Sequence, residues 1–208
     1  ASPTHATLPA TLDDSFDGNG IQVLALTPNV DYIHDMTVLD DGKILAVGAV
    51  NDRFGIMRFN ADMTLDNTFG SGGGTQVDFG AGTHATSFAI DSSGRIVVTG
   101  AAYIARFTPD GNLDTSFDGD GFVVDHDLAH GQDVTFQANG QILVGGRNSN
   151  AMRASSYTTD GIRVGHYADD MHGDGGDYGR GVIARDDGDV LLAGRVYDYH
   201  NKWYHGVV

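Results

Sequence analysis

The chain has 208 residues, a formal charge of −16, and 30 glycines against 4 prolines and no cysteine. All 28 acidic residues are Asp and only Lys43 and Lys202 are lysines, so residues that favour helix surfaces are missing while turn formers abound. Disulfides and thiolate metal sites are excluded, the composition argues against a helical protein and the charge against nucleic acid, and no apolar run approaches the roughly 20 residues of a membrane-spanning helix.

In chain order, Ala1-Ser2-Pro3-Thr4 reads as the new end left by signal-peptide removal, which points to a secreted protein or one on a bacterial outer surface. Residues 1–11 read as an N-terminal extension, and 12–208 as one domain of four repeats: 12–64, 65–112, 113–161 and 162–208. The repeats rest on one phrase that recurs four times: Asp41-Gly42-Lys43-Ile44-Leu45, Ser93-Gly94-Arg95-Ile96-Val97, Asn139-Gly140-Gln141-Ile142-Leu143 and Asp187-Gly188-Asp189-Val190-Leu191. The leading glycines stand at 42, 94, 140 and 188, and a second glycine follows six residues later at 48, 100, 146 and 194. Another phrase precedes three of the copies: Leu12-Asp13-Asp14-Ser15-Phe16, Leu65-Asp66-Asn67-Thr68-Phe69 and Leu113-Asp114-Thr115-Ser116-Phe117. The fourth unit instead reads Ile162-Arg163-Val164-Gly165-His166-Tyr167.

Each unit reads as four short strands. In the second they are Gly74 to Phe79, Thr86 to Ile90, Arg95 to Thr99 and Tyr103 to Phe107, with the Asx-Gly turn between the middle pair. Four strands in a period of about 40–50 residues is the mark of a propeller blade, so the expected fold is an all-β small propeller. Lys202 to Val208 stands where Arg53 to Phe59 stands in the first unit, so the segment from Leu12 is its natural continuation and predicts a ring closed by head and tail. A fragment of a larger propeller, or a half that dimerises, is the competing arrangement.

These phrases, with the endings Arg58-Phe59-Asn60-Ala61-Asp62 and Arg106-Phe107-Thr108-Pro109-Asp110-Gly111, resemble the delta-60 repeat family over most of the chain, and the last unit departs furthest. That resemblance implies the same propeller architecture.

No familiar catalytic motif is present: there is no GxSxG, HExxH or P-loop, and no Cys nucleophile, so a non-catalytic protein is expected. Asp118-Gly119-Asp120-Gly121 and Asp174-Gly175-Gly176-Asp177 are oxygen-rich loops that leave a surface calcium ion open, although neither has EF-hand spacing. The histidines carry more information. His84 and His130 lie ten residues before the anchor glycines of their units, where the other two units carry Tyr32 and Tyr178, and His34 follows two residues after Tyr32. If these positions line the inner strands, Tyr32, His34, His84, His130 and Tyr178 form a band around the axis. Imidazoles gathered there suit zinc, copper, iron or nickel, or equally a wet polar channel.

Near the C-terminus, the lone tryptophan sits in Trp203-Tyr204-His205. This element resembles the Trp-x-His of the methanotroph surface copper-binding proteins CorA and MopE. The resemblance implies copper acquisition, with Trp203 oxidised to kynurenine and binding Cu(I) beside His205 and an upstream histidine, His34, His84 or His130. An extracellular propeller that binds a protein or glycan without a transition metal is the alternative.

Overall fold

The computed structural model describes residues 31–148, 151–169, 178–198 and 203–207. The described residues form fifteen strands in four antiparallel sheets. The first holds β1 (Tyr32–Val38), β2 (Ile44–Val50), β3 (Arg53–Phe59) and β4 (Gly74–Val77). The second holds β5 (Ser87–Ile90), β6 (Ile96–Gly100), β7 (Tyr103–Phe107) and β8 (Phe122–Val124). The third holds β9 (His130–Phe136), β10 (Ile142–Arg147), β11 (Met152–Tyr157) and β12 (Arg163–Asp169), and the fourth β13 (Tyr178–Ala184), β14 (Val190–Asp198) and β15 (Trp203–Val207). Among the described residues there is no helix.

The recurring phrase makes the hairpin between the first and second strands of every sheet. Gly42, Gly94, Gly140 and Gly188 all adopt φ between +78° and +92°, the left-handed conformation that glycine takes without strain. Acidic or amide side chains cap these turns: Asp41, Asp91, Asn139 and Asp187 accept from the amides of Lys43, Ser93, Gln141 and Asp189 at 2.8–3.2 Å. The second glycine of the phrase has a different cause. A Cβ on Gly48, Gly100, Gly146 or Gly194 would stand only 2.0–2.1 Å from the carbonyl oxygen of Tyr32, His84, His130 or Tyr178 respectively. The first strand of each sheet is thus laid down on a position where no side chain fits.

Neighbouring sheets meet face to face, and their first strands lie innermost, β5 against β9 and β9 against β13. The first seam is packed by Leu45, Val47, Phe54, Ile56, Ile96, Val98 and Phe107. The second is packed by Val97, Ile104, Val134, Ile142, Val144 and Tyr157. Asp35, Ser87 and Asp133 occupy equivalent register positions on β1, β5 and β9, opposite Val47, Thr99 and Gly145. Ser87 Oγ lies 3.2 Å from a carboxylate oxygen of each Asp, and the other oxygen of Asp133 accepts from the Val182 amide at 2.8 Å. This chain of polar contacts ties the inner strands together.

The Leu-Asp-x-Ser/Thr-Phe phrase lies between the third and fourth strands of a sheet and clasps the next sheet. Phe69 and Phe117 are fully buried wedges. Arg58 and Arg106 place their guanidinium carbons 4.5 and 4.9 Å from the respective ring centroids, while their Nε atoms donate to Asp66 and Asp114 at 2.7 Å. Across the seam, Arg58 donates to the Pro109 carbonyl and Arg106 to that of Thr159, and the amides of Gly70 and Asp118 donate to the carbonyls of Asp110 and Asp160. The phrase is therefore an inter-sheet fastener as well as a turn.

Two expectations meet the structure here. The second, third and fourth sequence units straddle the sheets, because the strand that opens each of them is the outermost strand of the preceding sheet: β4 pairs with β3, β8 with β7 and β12 with β11. Ring closure is not formed by the described residues: the fourth sheet packs on the third, and no comparable contact joins it to the first. The segment from Leu12 expected to complete the ring, together with the 1–11 extension, lies outside the described residues.

Candidate functional site

The hairpin that joins β2 to β3 turns through Asn51 and Asp52, both at positive φ (56° and 59°), as the tight two-residue connection between right-twisted strands requires. The turn sets Asp52 beside the start of β1 and the residue that leads into β5. His84 is held there from both sides: Tyr32 Oη donates to Nδ1 at 2.5 Å, and Nε2 donates to Asp52 Oδ1 at 3.0 Å. This pairing selects the tautomer with its proton on Nε2.

His34 completes the group. The β1–β2 register shifts between Ile33 and Asp35, so His34 is the extra residue of a β-bulge, a device that re-aims a side chain. Its ring centroid lies 5.0 Å from that of Tyr32 and 6.4 Å from that of His84, while Tyr32 and His84 are 4.9 Å apart. Partial burial, followed by the neighbouring His84, pushes the His34 imidazole below its ordinary value. At neutral pH it is therefore an uncharged ring with an available nitrogen.

His130 occupies the position equivalent to His84, as its carbonyl on Gly146 shows, but stands one seam further on. It pairs across β9–β10 with Arg147, and burial followed by that guanidinium lowers its pKa. Arg147 and Arg195 both place their guanidinium carbons 4.4 Å from the Tyr178 ring centroid. The expected band is thus split into an imidazole–phenol group at the first seam and an arginine–tyrosine group at the third. Trp203 and His205 belong to β15 in the fourth sheet, where the backbone register sets them opposite Asp198 and Val196. Neither lies on an innermost strand, and their side chains fall outside the described residues.

Of the two oxygen-rich loops, Asp174 to Asp177 is outside the described residues. In the other, the carboxylate of Asp120 caps the amide of Phe122, and Asp118 takes positive φ in the clasp turn. Among the described residues, no three His, Cys, Asp or Glu side chains are gathered at metal-binding distance. No helix among the described residues is long and apolar enough to cross a membrane.

Asp52 is the member of the site that the sequence reading misses. The Asn-Asp dipeptide between two apolar runs was its available signal, since it marks a tight hairpin at the same end of the sheet as Tyr32.

Comparison with known proteins agrees with this architecture. Residues 39–69 and 92–117 match the family described as a domain of unknown function (DUF5122) beta-propeller. Both segments start in the Asx-Gly turn region and end on a wedge residue, Phe69 or Phe117, so the match takes in both clasp phrases. No curated protein matches the chain. Among solved structures, a crystal structure of a protein of unknown function from Bacteroides caccae is similar, at 15% identity and a TM-score of 0.48, over 73% of this chain and 52% of that one. The chain thus spans about half the length of that protein. Four antiparallel sheets laid seam to seam among the described residues, with two segments that match a propeller family, give this chain an all-β fold of the β-propeller type.

Proposed function

We propose that this propeller is a non-catalytic, secreted or surface-displayed protein that binds copper as Cu(I) through His34 and His84. The observation that carries the reading is the fixed orientation of His84, whose Nε2 is tied to Asp52 at 3.0 Å while Nδ1 accepts from Tyr32, with the His34 ring centroid 6.4 Å from its own. A carboxylate behind an imidazole is the usual outer support of a metal-bound histidine: Asp52 keeps the proton on Nε2, so that a metal at Nδ1 would replace the hydrogen bond from Tyr32. Imidazole suits copper, and with no cysteine in the chain the thiolate sites that compete for Cu(I) are absent. The two imidazoles would hold the ion through ring nitrogens, His84 exchanging its hydrogen bond from Tyr32 for the metal. Bound copper supplies a thermodynamic sink for scarce metal, with no turnover required.

The reading draws on the first two sheets. His130 stands on the third sheet, and Trp203 and His205 on the fourth, so conversion of Trp203 to kynurenine is a separate proposal that intact mass of protein from its native host decides. Competition against a chromogenic Cu(I) chelator tests the metal site. One copper per chain is expected, with loss of competition in His34→Ala and His84→Ala and little change in His130→Ala. Wild-type protein that never competes with the chelator would overturn the proposal and leave a metal-free binding module. Surface proteolysis and fractionation of producing cells test the location.

A further inference from the structure

The third seam lacks its fastener. Ser156 stands where Arg58 and Arg106 stand, as their shared register opposite Leu143, Leu45 and Val97 shows. Ala154 stands in turn where Ile56 and Ile104 stand, opposite Gly145, Val47 and Thr99. The Leu-Asp-x-Ser/Thr-Phe phrase is also absent: the chain passes from β11 through a tight turn directly into β12, without a wedge phenylalanine. The guanidinium, its Asp and the ring it covers have thus disappeared together.

On its inner side this seam still closes. A Cβ on Gly145 would lie 2.7 Å from Val182 Cβ, so the glycine lets β13 come in close, and Leu143, Ala154 and Val182 pack as a small core. On its outer side a cleft of about 490 Å³ opens, lined mainly by Leu143, Met152, Ala154, Ser156, Val190 and Leu192. Four of these walls are register counterparts of the residues packed with Phe69 at the first seam: Leu143 of Leu45, Ala154 of Ile56, Val190 of Ile96 and Leu192 of Val98. The volume falls within the range of about 300–1,000 Å³ usual for small-molecule sites.

We infer that this cleft is a binding site for a small neutral aromatic molecule, which takes the place that a phenylalanine ring fills at the two preceding seams. Its lining is apolar at the walls, with Gln137, Ser156, His166 and Tyr167 as polar members, so a hydroxylated aromatic suits it better than a plain hydrocarbon. A peptide copying the lost phrase is disfavoured, because Ser156 cannot hold the aspartate that Arg58 and Arg106 hold. The site is independent of the copper-binding group, which lies at the first seam.

Isothermal titration with 1-naphthol, and with cyclohexanol as a non-aromatic comparison, tests the inference on the whole chain. Saturable binding of one 1-naphthol is expected, at least tenfold tighter than cyclohexanol. Ala154→Ile, which restores the residue of the closed seams, should weaken it about tenfold, and Ala154→Phe should abolish it, with circular dichroism showing both variants folded. Absence of saturable binding, equal affinity for cyclohexanol, or unchanged binding in folded Ala154→Ile would each overturn the site. If Ala154→Phe fails to fold, the Ala154→Ile result decides alone.

Discussion

The carbonyl oxygen of His84 stands 2.0 Å from the point where a side chain on Gly100 would begin. The same approach is made by His130 to Gly146, by Tyr32 to Gly48 and by Tyr178 to Gly194. One backbone contact therefore explains why the second glycine recurs in all four phrases and why the chemically interesting side chains share one end of the sheets. A methyl group there must displace backbone, so Gly100→Ala should destabilise by about 1–3 kcal/mol or more. Gly181→Ala, whose Cβ would meet nothing closer than a carboxylate oxygen at 3.7 Å, should change little. Urea unfolding of the two variants makes the comparison.

The clasp predicts coupled losses. Phe117 is fully buried against Tyr157 and Ile142, so Phe117→Ala should remove about 3–5 kcal/mol. Arg106→Ala and Asp114→Ala should each destabilise, and the double variant should lose less than the sum, because both singles break the same buried ion pair. Full additivity in the denaturation midpoints would show that the pair does not act as a unit.

Acid should loosen the first seam through Asp66. Hydrogen bonds from Lys43, then Thr68 and Arg58, outweigh its burial and hold its carboxyl well below the usual carboxylate range. With the folded pKa below the unfolded one, the unfolded chain takes up the proton first. The stabilisation is therefore present above about pH 4 and is lost as pH falls toward the folded value. Wild-type protein should lose more stability between pH 5 and pH 3 than Asp66→Asn, which begins weaker and has no such carboxyl to protonate.

His34 should remain uncharged on the acid side of its ordinary titration, since partial burial and His84 both lower its pKa. For a depressed histidine the unfolded state protonates first, so its contribution is present above about pH 6.5 and fades as pH falls through the folded value. Following the ring protons by NMR should show His34 titrating below an exposed histidine, and His84→Ala should move it back up.

Asp133 is the hinge pin of the fourth sheet. One of its oxygens accepts from the Val134 amide and the other from the Val182 amide. Asp133→Ala leaves these donors to find water, at a cost of about 1–3 kcal/mol. Hydrogen exchange should accelerate in β13 and β14 while β2 and β3 keep their protection; uniform acceleration would argue that the sheets open as one.

Much of the fold is legible because the Asx-Gly turns recur with their strands, and each glycine has a local steric cause. The unit boundaries are less legible: Leu113 to Phe117 sits next to β8 in sequence, but that strand pairs backward with β7. The association of Tyr32, His34 and His84 follows from their spacing to the anchor glycines. The bulge at His34 and the part of Asp52 depend on hairpin geometry that carries no motif. His130 stands one sheet further on, opposite Arg147 in the β9–β10 hairpin, so an equal spacing to the anchor glycine does not bring it to His84. The seam cleft is hardest to read, since it arises from what Ala154 and Ser156 fail to fill.

The offset between sequence unit and sheet has a consequence on the ribosome. When the segment through Phe107 has emerged, the second sheet holds three strands and waits for Phe122–Val124, which arrives only behind the next wedge phenylalanine. Each of the first three nascent blades is thus finished by the leading edge of its successor, and a ribosome that stalls between the two leaves an open strand exposed to the crowded cell.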